Sequence, residues 1–214
     1  MSVEFLDPAP IAGCHKLKNI SSGDKAFLPL KNFLKQEALY LHDEDITKTY
    51  VACFNVADDD PQRHKVVGYV SFTNSEVCFK EATLPEGLQG LKYQSLPALK
   101  ISRLMVCSKH RDKGLGRVLM DFAIWMAIET IRPWVGCRLL TVDSKPEAIE
   151  FYKRYGFEMI DTPDNLNSDC PVMYFDLRSA MEEDDAALPE SSDGEGRKVV
   201  SKEQIPVEEP APDH

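Results

Sequence analysis

The chain has 214 residues, which is enough for one well-filled core and too few for two full domains. Its 43% hydrophobic residues, with ten Phe and seven Tyr, exclude a globally disordered chain. It has no apolar run of the roughly 18 to 20 residues that a membrane span requires. The start, MSVEFLDPAP, also lacks a basic-then-apolar signal pattern, so the expected location is the cytoplasm.

The net charge of -10 is concentrated at the C-terminus. Residues 178 to 214 carry eleven Asp and Glu against four Lys and Arg, which leaves only -3 for residues 1 to 177. This end is rich in Glu, Asp, Ser and Pro and has almost no aromatic residues, so it cannot bury enough surface to offset its ordering entropy. The sequence predicts a disordered acidic tail over residues 178–214.

The first half of the chain predicts one helix and a pair of strands. KAFLPLKNFLKQEALYLH, residues 25–42, places apolar residues at helical spacings and predicts an amphipathic helix. TYVACFNVA and KVVGYVSFTNSEVCF follow and read as strands, since they are rich in Val, Tyr and Phe. DDDPQRH between them has the composition of a hairpin loop.

The second half alternates strands and helices. ALKISRLMVC predicts a buried strand, and a glycine turn, RDKGLG, leads from it into a helix that runs to about Ile131. CRLLTVD predicts another buried strand, and SKPEAIEFYKRYGF a helix with Ser144 as its N-cap, Pro146 in its first turn and Gly156 past its end. VMYFDL is the last strand. The alternation predicts an α/β fold with one parallel or mixed sheet covered on both faces.

The cysteines and histidines suggest neither disulfides nor a metal site. The six cysteines are spread along the chain without a C-x-x-C pair, and we expect reduced thiols. Four of them lie in or beside predicted strands and are expected to be small buried hydrophobes: Cys53, Cys78, Cys107 and Cys137. The histidines other than His110 show no ligand spacing, so we expect no metal.

The glycine turn predicts an anion site. A strand that leads through glycines into a helix exposes unpaired first-turn N–H groups, and the helix dipole adds partial positive charge. Neighbouring basic residues add to it: Lys109, His110, Arg111, Lys113 and Arg117. The turn is not a Walker loop, because Gly116 is followed by Arg117, and it is not a dinucleotide fingerprint, because Leu119 stands where the third glycine is required.

The pattern R-x-x-G-x-G and the downstream AIEFYKRYGF together resemble the acetyl-CoA-binding core of the GNAT superfamily, the Gcn5-related N-acetyltransferases. The resemblance covers roughly residues 27 to 177. It implies a GNAT-like acyl-CoA N-acyltransferase fold, a mixed central sheet with helices on both faces, and acetyl-CoA as co-substrate. We therefore expect an N-terminal extension over residues 1–26, an N-acetyltransferase domain over residues 27–177, and the acidic tail.

The resemblance also implies roles for individual residues. Backbone groups of Met105 and Val106 would bind the pantetheine arm, and the N–H groups of Lys113 to Arg117 would hold the pyrophosphate. Tyr152 would act as the general acid that protonates the departing thiolate. The expected cofactor-binding residues are Met105, Val106, Arg111, Asp112, Lys113, Gly114, Leu115, Gly116, Arg117 and Lys145.

The sequence allows two alternative roles for each of four residues. Lys145 stands where the family often has an Asn that contacts the cofactor, and it either reaches a cofactor phosphate or does not repeat the contact. Arg103, a charge inside a predicted strand, either pairs with a carboxylate or faces the substrate groove. His110 either contacts phosphate or lies in solvent. Glu76 is either a water-mediated general base, as in some relatives, or an exposed strand carboxylate.

A second resemblance indicates which molecule would accept the acetyl group. LKNFLKQEAL, VVGYVSF, ISRLMV and VDSKPEAIEFYKRYGF are similar to the toxin-type branch of the superfamily, whose members acetylate the amino group of aminoacyl-tRNA, commonly form homodimers and are neutralised by an antitoxin. The chain is then expected to transfer acetyl to a primary amine, with aminoacyl-tRNA as the specialised acceptor. The alternative is a non-catalytic acyl-CoA-binding or interaction module that acts through its acidic tail.

Overall fold

The computed structural model describes residues 7–54 and 64–179. Seven strands form one sheet in the order β1-β2-β3-β4-β5-β7-β6. Their bounds are Ala9–Pro10 (β1), Lys48–Cys53 (β2), Val66–Cys78 (β3), Ser95–Val106 (β4), Leu139–Asp143 (β5), Glu158–Met159 (β6) and Val172–Asp176 (β7). β4 and β5 are parallel, and the other neighbouring pairs are antiparallel.

Five α-helices accompany the sheet in the described residues before the end of β7 at Asp176. They are Leu28–Gln36 (α1), Ala38–Asp43 (α2), Leu115–Trp125 (α3), Ile149–Lys153 (α4) and Pro163–Leu166 (α5). Short 3-10 turns lead into α1 and α4, and α3 continues as a π-helical segment, Met126–Ile131. None of the described helices is long and apolar enough to span a bilayer.

The helices cover both faces of the sheet, because side chains alternate between faces along each strand. On one face Phe33 and Leu34 of α1 pack with Val51 and Tyr69. Tyr69 also donates a hydrogen bond from its hydroxyl to the backbone carbonyl of Leu30, 2.7 Å away. On the other face the core contains residues of α3 and α4: Leu119, Met120, Ala123 and Tyr152. The predicted fold class, a mixed sheet between helices, is confirmed.

The described part of the N-terminal extension, residues 7–26, packs on this body. β1 pairs with β2 at the edge of the sheet, and the side chains of Ile11 and Ile20 are buried in the same cluster as α1. The predicted hairpin loop DDDPQRH lies outside the described residues except for His64, and so does the acidic tail from residue 180 onward.

Several local predictions are wrong in detail. The N-terminal helix is divided at Glu37 into α1 and α2. Lys145, not Ser144, is the N-cap of the turn before α4; the Ser144 hydroxyl donates instead to the carbonyl of Lys145. Cys78 is exposed at the end of β3, whereas Cys53, Cys107 and Cys137 are buried as predicted. Pro146 and Gly156 lie where the sequence places them, the latter with a φ of +79°.

Candidate active site

β4 and β5 pair for only three residues and then separate. Ala98–Lys100 pairs with Leu139–Thr141, although β4 continues to Val106 and β5 to Asp143. A bulge contributes to the separation: Ser71 of β3 lies opposite Arg103 and Phe72 opposite Ile101, so Ser102 is an extra residue in β4. Within the described residues, the edge of β4 past Lys100 that faces β5 has no partner strand. An extended ligand can hydrogen-bond along this edge.

A cavity of about 1030 Å³ begins at this edge. It is lined by β4, by the glycine turn, by α3 and α4, and by the segment before α1. Eight of the residues predicted to act on substrate or cofactor line it: Met105, Val106, Arg111, Asp112, Gly114, Gly116, Arg117 and Tyr152. The structure therefore brings together residues that the sequence separates by more than forty positions.

The glycine turn presents the start of α3 to this cavity. Gly114 is the N-cap of α3 with a φ of +81°, a conformation that favours glycine. No side chain of the described residues caps α3, and its first turn has no acidic residue. Its first N–H groups are therefore available to a ligand, and Arg117 and Arg154 line the cavity nearby. This arrangement suits a phosphate group.

The Arg111 side chain connects the N-terminal segment to the glycine turn through a hydrogen bond and a contact with an aromatic ring. Its Nη2 donates to the carbonyl of Ser22 at 2.5 Å, and its guanidinium carbon lies 5.0 Å from the centroid of the Phe27 ring. The backbone of Ser108 adds a hydrogen bond to the carbonyl of Ser21 at 2.8 Å. These contacts hold Phe27 against the cavity, where no sequence motif had placed it.

A second cavity of about 520 Å³ adjoins the first. The two share four lining residues: Phe27, Leu104, Ala148 and Tyr152. The second cavity is lined by three basic side chains, Lys100, Arg103 and Lys145, and by one carboxylate, Asp143. The Lys100 ammonium donates to Asp143 Oδ2 at 2.6 Å. Of the two predicted surroundings of Arg103, the structure has the one that faces the groove, since Arg103 lines the second cavity. Its guanidinium carbon lies 5.2 Å from the centre of the Phe33 ring.

Tyr152 on α4 lies between the two cavities. Only 5% of the residue is exposed, and its ring packs against Phe151 and Phe157, with centroids 5.2 and 5.4 Å away. Burial raises the pKa of its phenol above the ordinary value, because the phenolate is poorly solvated there. The hydroxyl is therefore protonated near neutral pH, and Tyr152 contributes a hydrogen-bond donor to the lining that the two cavities share.

Five other predicted positions have different surroundings. Glu76 is exposed near the outer end of β3, opposite Pro97, and lines neither cavity. Lys145 lines the second cavity and not the first. Leu115 is fully buried, so only its backbone is available to a ligand, and the exposed Lys113 lines neither cavity. His110 packs edge-on against Phe54, with ring centroids 5.0 Å apart.

A cluster of three potential metal ligands lies outside both cavities. Cys14, His15 and His64 have donor atoms within 4.8 Å of one another, a proximity that the sequence did not predict. The His15 Nδ1 accepts a hydrogen bond from the backbone N–H of Ala12 at 2.9 Å. The neutral ring then carries its proton on Nε2, which opposes coordination by that atom.

Over the residues that the structure describes, the site thus combines a strand edge without a partner, an uncapped helix start and a buried tyrosine that lines both cavities. A nucleotide-linked thioester fits the first cavity, since its phosphates would meet α3 and its extended arm would follow β4. A nucleophile would enter through the second cavity. The arrangement suits transfer of an acyl group from a thioester in one cavity to a nucleophile in the other, with the protonated phenol of Tyr152 in the lining of both.

Known proteins resemble this chain in sequence and in fold. The tRNA-acetylating toxin of Mycobacterium tuberculosis (strain ATCC 25618 / H37Rv) is 26% identical over 156 residues, which are 72% of this chain and 86% of the relative. The solved structure of AtaT complexed with acetyl-methionyl-tRNAfMet superimposes with a TM-score of 0.70 at 20% identity, over 84% of this chain and 99% of that one.

A further structure has the same fold. It is a mutant AtaT toxin bound to the C-terminus of the antitoxin AtaR and acetyl-CoA, with a TM-score of 0.61 at 18% identity, over 86% of this chain and 98% of that one. The sequence pattern of the acetyltransferase (GNAT) domain family matches residues 50–159, just over half of the chain. The chain therefore belongs to the acetyltransferase (GNAT) family, whose members are N-acetyltransferases that use acetyl-CoA.

Proposed function

We propose that this enzyme transfers acetyl from acetyl-CoA to the α-amino group of an aminoacyl-tRNA and so acts as a toxin on translation. The observation that carries the proposal is the charge of the second cavity, whose lining contains three basic side chains, one carboxylate and Tyr152. Basic groups suit the phosphates of an RNA acceptor end, and the carboxylate suits its amine. The similarity to the tRNA-acetylating toxin supports the same acceptor.

The proposed chemistry uses the two cavities together. Acetyl-CoA would lie in the first, with its pyrophosphate at the N–H groups from Lys113 to Arg117 and its pantetheine arm along the backbone of Met105 and Val106. The deprotonated amine would attack the thioester carbonyl from the second cavity. As the C–N bond forms and the C–S bond breaks, Tyr152 would protonate the thiolate, and the nitrogen would release its surplus proton to solvent.

The proposal is tested with purified protein and charged tRNA. We expect acetyl-CoA to yield N-acetyl-aminoacyl-tRNA, seen by mass spectrometry after nuclease digestion, and no acetyl mark on uncharged tRNA. Brief expression should arrest growth, and Tyr152→Phe should relieve the arrest. Acetylation of protein lysines or of a small amine in place of charged tRNA would overturn the acceptor, and healthy cells with soluble wild-type protein would overturn the toxin activity.

We propose that Lys145 serves the acceptor and not the cofactor, because it lines only the second cavity. Replacing Lys145 by Met is expected to raise the KM for charged tRNA about threefold to tenfold through the loss of one phosphate contact. The KM for acetyl-CoA should stay unchanged. Steady-state kinetics at two salt concentrations check this, and a raised KM for acetyl-CoA alone would instead support a cofactor contact.

The toxin assignment implies cellular partners as well. We propose an antitoxin that neutralises the enzyme, a homodimer as its working form, and a cytoplasmic location, where tRNA is charged. Co-purification of a protein that abolishes transfer, and a dimer mass by light scattering, are the expected results. The non-catalytic alternative would be favoured if Tyr152→Phe left every phenotype intact while deletion of residues 178–214 abolished it.

A further inference from the structure

Asp143 is the only carboxylate among the described residues that line the second cavity. It is the last residue of β5 and lies beyond the point where β4 and β5 cease to pair. Its side chain is 46% exposed, while that of its partner Lys100 is 28% exposed. The pair is therefore open to a ligand in the cavity, and its attraction is screened by water.

The acceptor of an N-acetyltransferase is a primary amine. An α-amino group has a pKa of about 7.7 to 8.0 and is therefore largely an ammonium at pH 7. Lys100 holds the same chemical group against Asp143, since a lysine side chain also ends in a primary ammonium. We propose that Asp143 binds the amino group of the acceptor and that Lys100 is the internal counterion which this amine displaces. The inference rests on the proposed use of the second cavity by the acceptor.

The placement of the other carboxylates supports this choice. Asp24, Asp112, Asp121 and Glu147 line only the first cavity, which the donor would occupy. Asp143 alone shares a cavity with Tyr152 on the acceptor side. An amine held at Asp143 would enter the space between the separated strands, and Lys100 would then be released toward the phosphates of the acceptor.

The test measures binding, so it does not depend on which acceptor is used in the cell. The probe is methionine methyl ester, an α-amino ester like the end of a charged tRNA, titrated into the full-length protein with CoA bound and followed by NMR. Asp143→Asn is expected to raise the Kd of the ester about tenfold. Lys100→Met is expected to lower it about threefold, because the competing ammonium is gone.

The two variants separate binding from a structural role. Both remove the same ion pair, so a purely structural pair predicts equal shifts in the same direction, and that result would overturn the inference. N-acetyl-methionine methyl ester, which has no ammonium, should bind wild type and Asp143→Asn equally. Asp43→Asn, an exposed carboxylate at the end of α2, serves as the matched control variant.

The same experiment distinguishes this inference from the proposed function. If wild-type protein fails to acetylate charged tRNA but the ester still binds more weakly to Asp143→Asn, the tRNA proposal fails and the role of Asp143 stands. If charged tRNA is acetylated and Asp143→Asn binds the ester as wild type does, the role of Asp143 is wrong.

Discussion

Replacing Tyr152 by Phe is expected to lower the kcat of acetyl transfer by about 10²-fold to 10⁴-fold, the usual contribution of a positioned proton donor. The variant keeps the ring that packs against Phe151 and Phe157 and loses only the hydroxyl at the junction of the cavities. The Kd for acetyl-CoA should therefore stay within a factor of about two of the wild-type value, since the proposed cofactor contacts lie on the glycine turn and β4.

The measurement is CoA release with a saturating amine, together with calorimetry for acetyl-CoA binding. Tyr174→Phe is the matched control, because it also removes a buried tyrosine hydroxyl, one that donates to Glu158 at 3.1 Å and lines neither cavity. It should lose about 1 kcal/mol of folding stability and retain its kcat. A Tyr152→Phe enzyme as fast as wild type would show that Tyr152 does not protonate the thiolate.

The pH dependence follows from the burial of Tyr152. Its pKa is raised above the ordinary phenol value of about 10, so the phenol stays protonated at every lower pH. The proton donor is therefore not lost as the pH rises from about 7 to 10. A fall in rate within that range would have to arise from another group.

The core of the fold could be predicted from local pattern, and the edges could not. The strand-like runs predict β2 to β5, and the helical pattern after the glycine turn predicts α3, because buried strands and helices have strong apolar periodicity. β1 and β6 have two residues each and carry no such signal. The division of the first helix at Glu37 also has no local marker, since neither Gly nor Pro stands there.

The candidate site also has one part that the local sequence predicts and one part that it does not. The glycine side of the first cavity was predictable, because the glycines at the start of α3 form a short contiguous motif. The second cavity is lined by residues from separate strands and from the N-terminal segment. Phe27 and Lys100 belong to no recognisable sequence motif. The position of Asp143 in the second cavity depends on β5 lying beside the separated end of β4, which the sequence does not reveal. Contacts between distant residues, such as Arg111 with Ser22, have no sequence signature.

Replacing Gly116 by Val is expected to raise the Kd for acetyl-CoA at least about tenfold, through steric crowding of the first cavity. A Cβ at this position would lie 3.1 Å from Cε2 of Phe151, closer than ordinary van der Waals contact. Gly116 is in the first turn of α3 and has no positive φ, so its backbone accepts Val and the effect is one of volume. The two methyl groups of Val add further bulk beside the cavity.

The crowding would be transmitted to the proton donor. Phe151 packs against Tyr152 and Tyr155, with both ring centroids 5.2 Å away, so its displacement would shift two rings that line the first cavity. We expect a loss of folding stability of about 1 to 3 kcal/mol, typical of overpacking, in addition to the loss of binding. Calorimetry with acetyl-CoA and thermal unfolding measure the two effects separately.

Gly90→Val is the matched control for this substitution. A Cβ at Gly90 would meet no atom within 4 Å, and Gly90 also has no positive φ, so the same change in volume meets open space. The control should bind acetyl-CoA as wild type does. Equal binding by wild type and Gly116→Val would contradict the proposed position of the pyrophosphate at the start of α3.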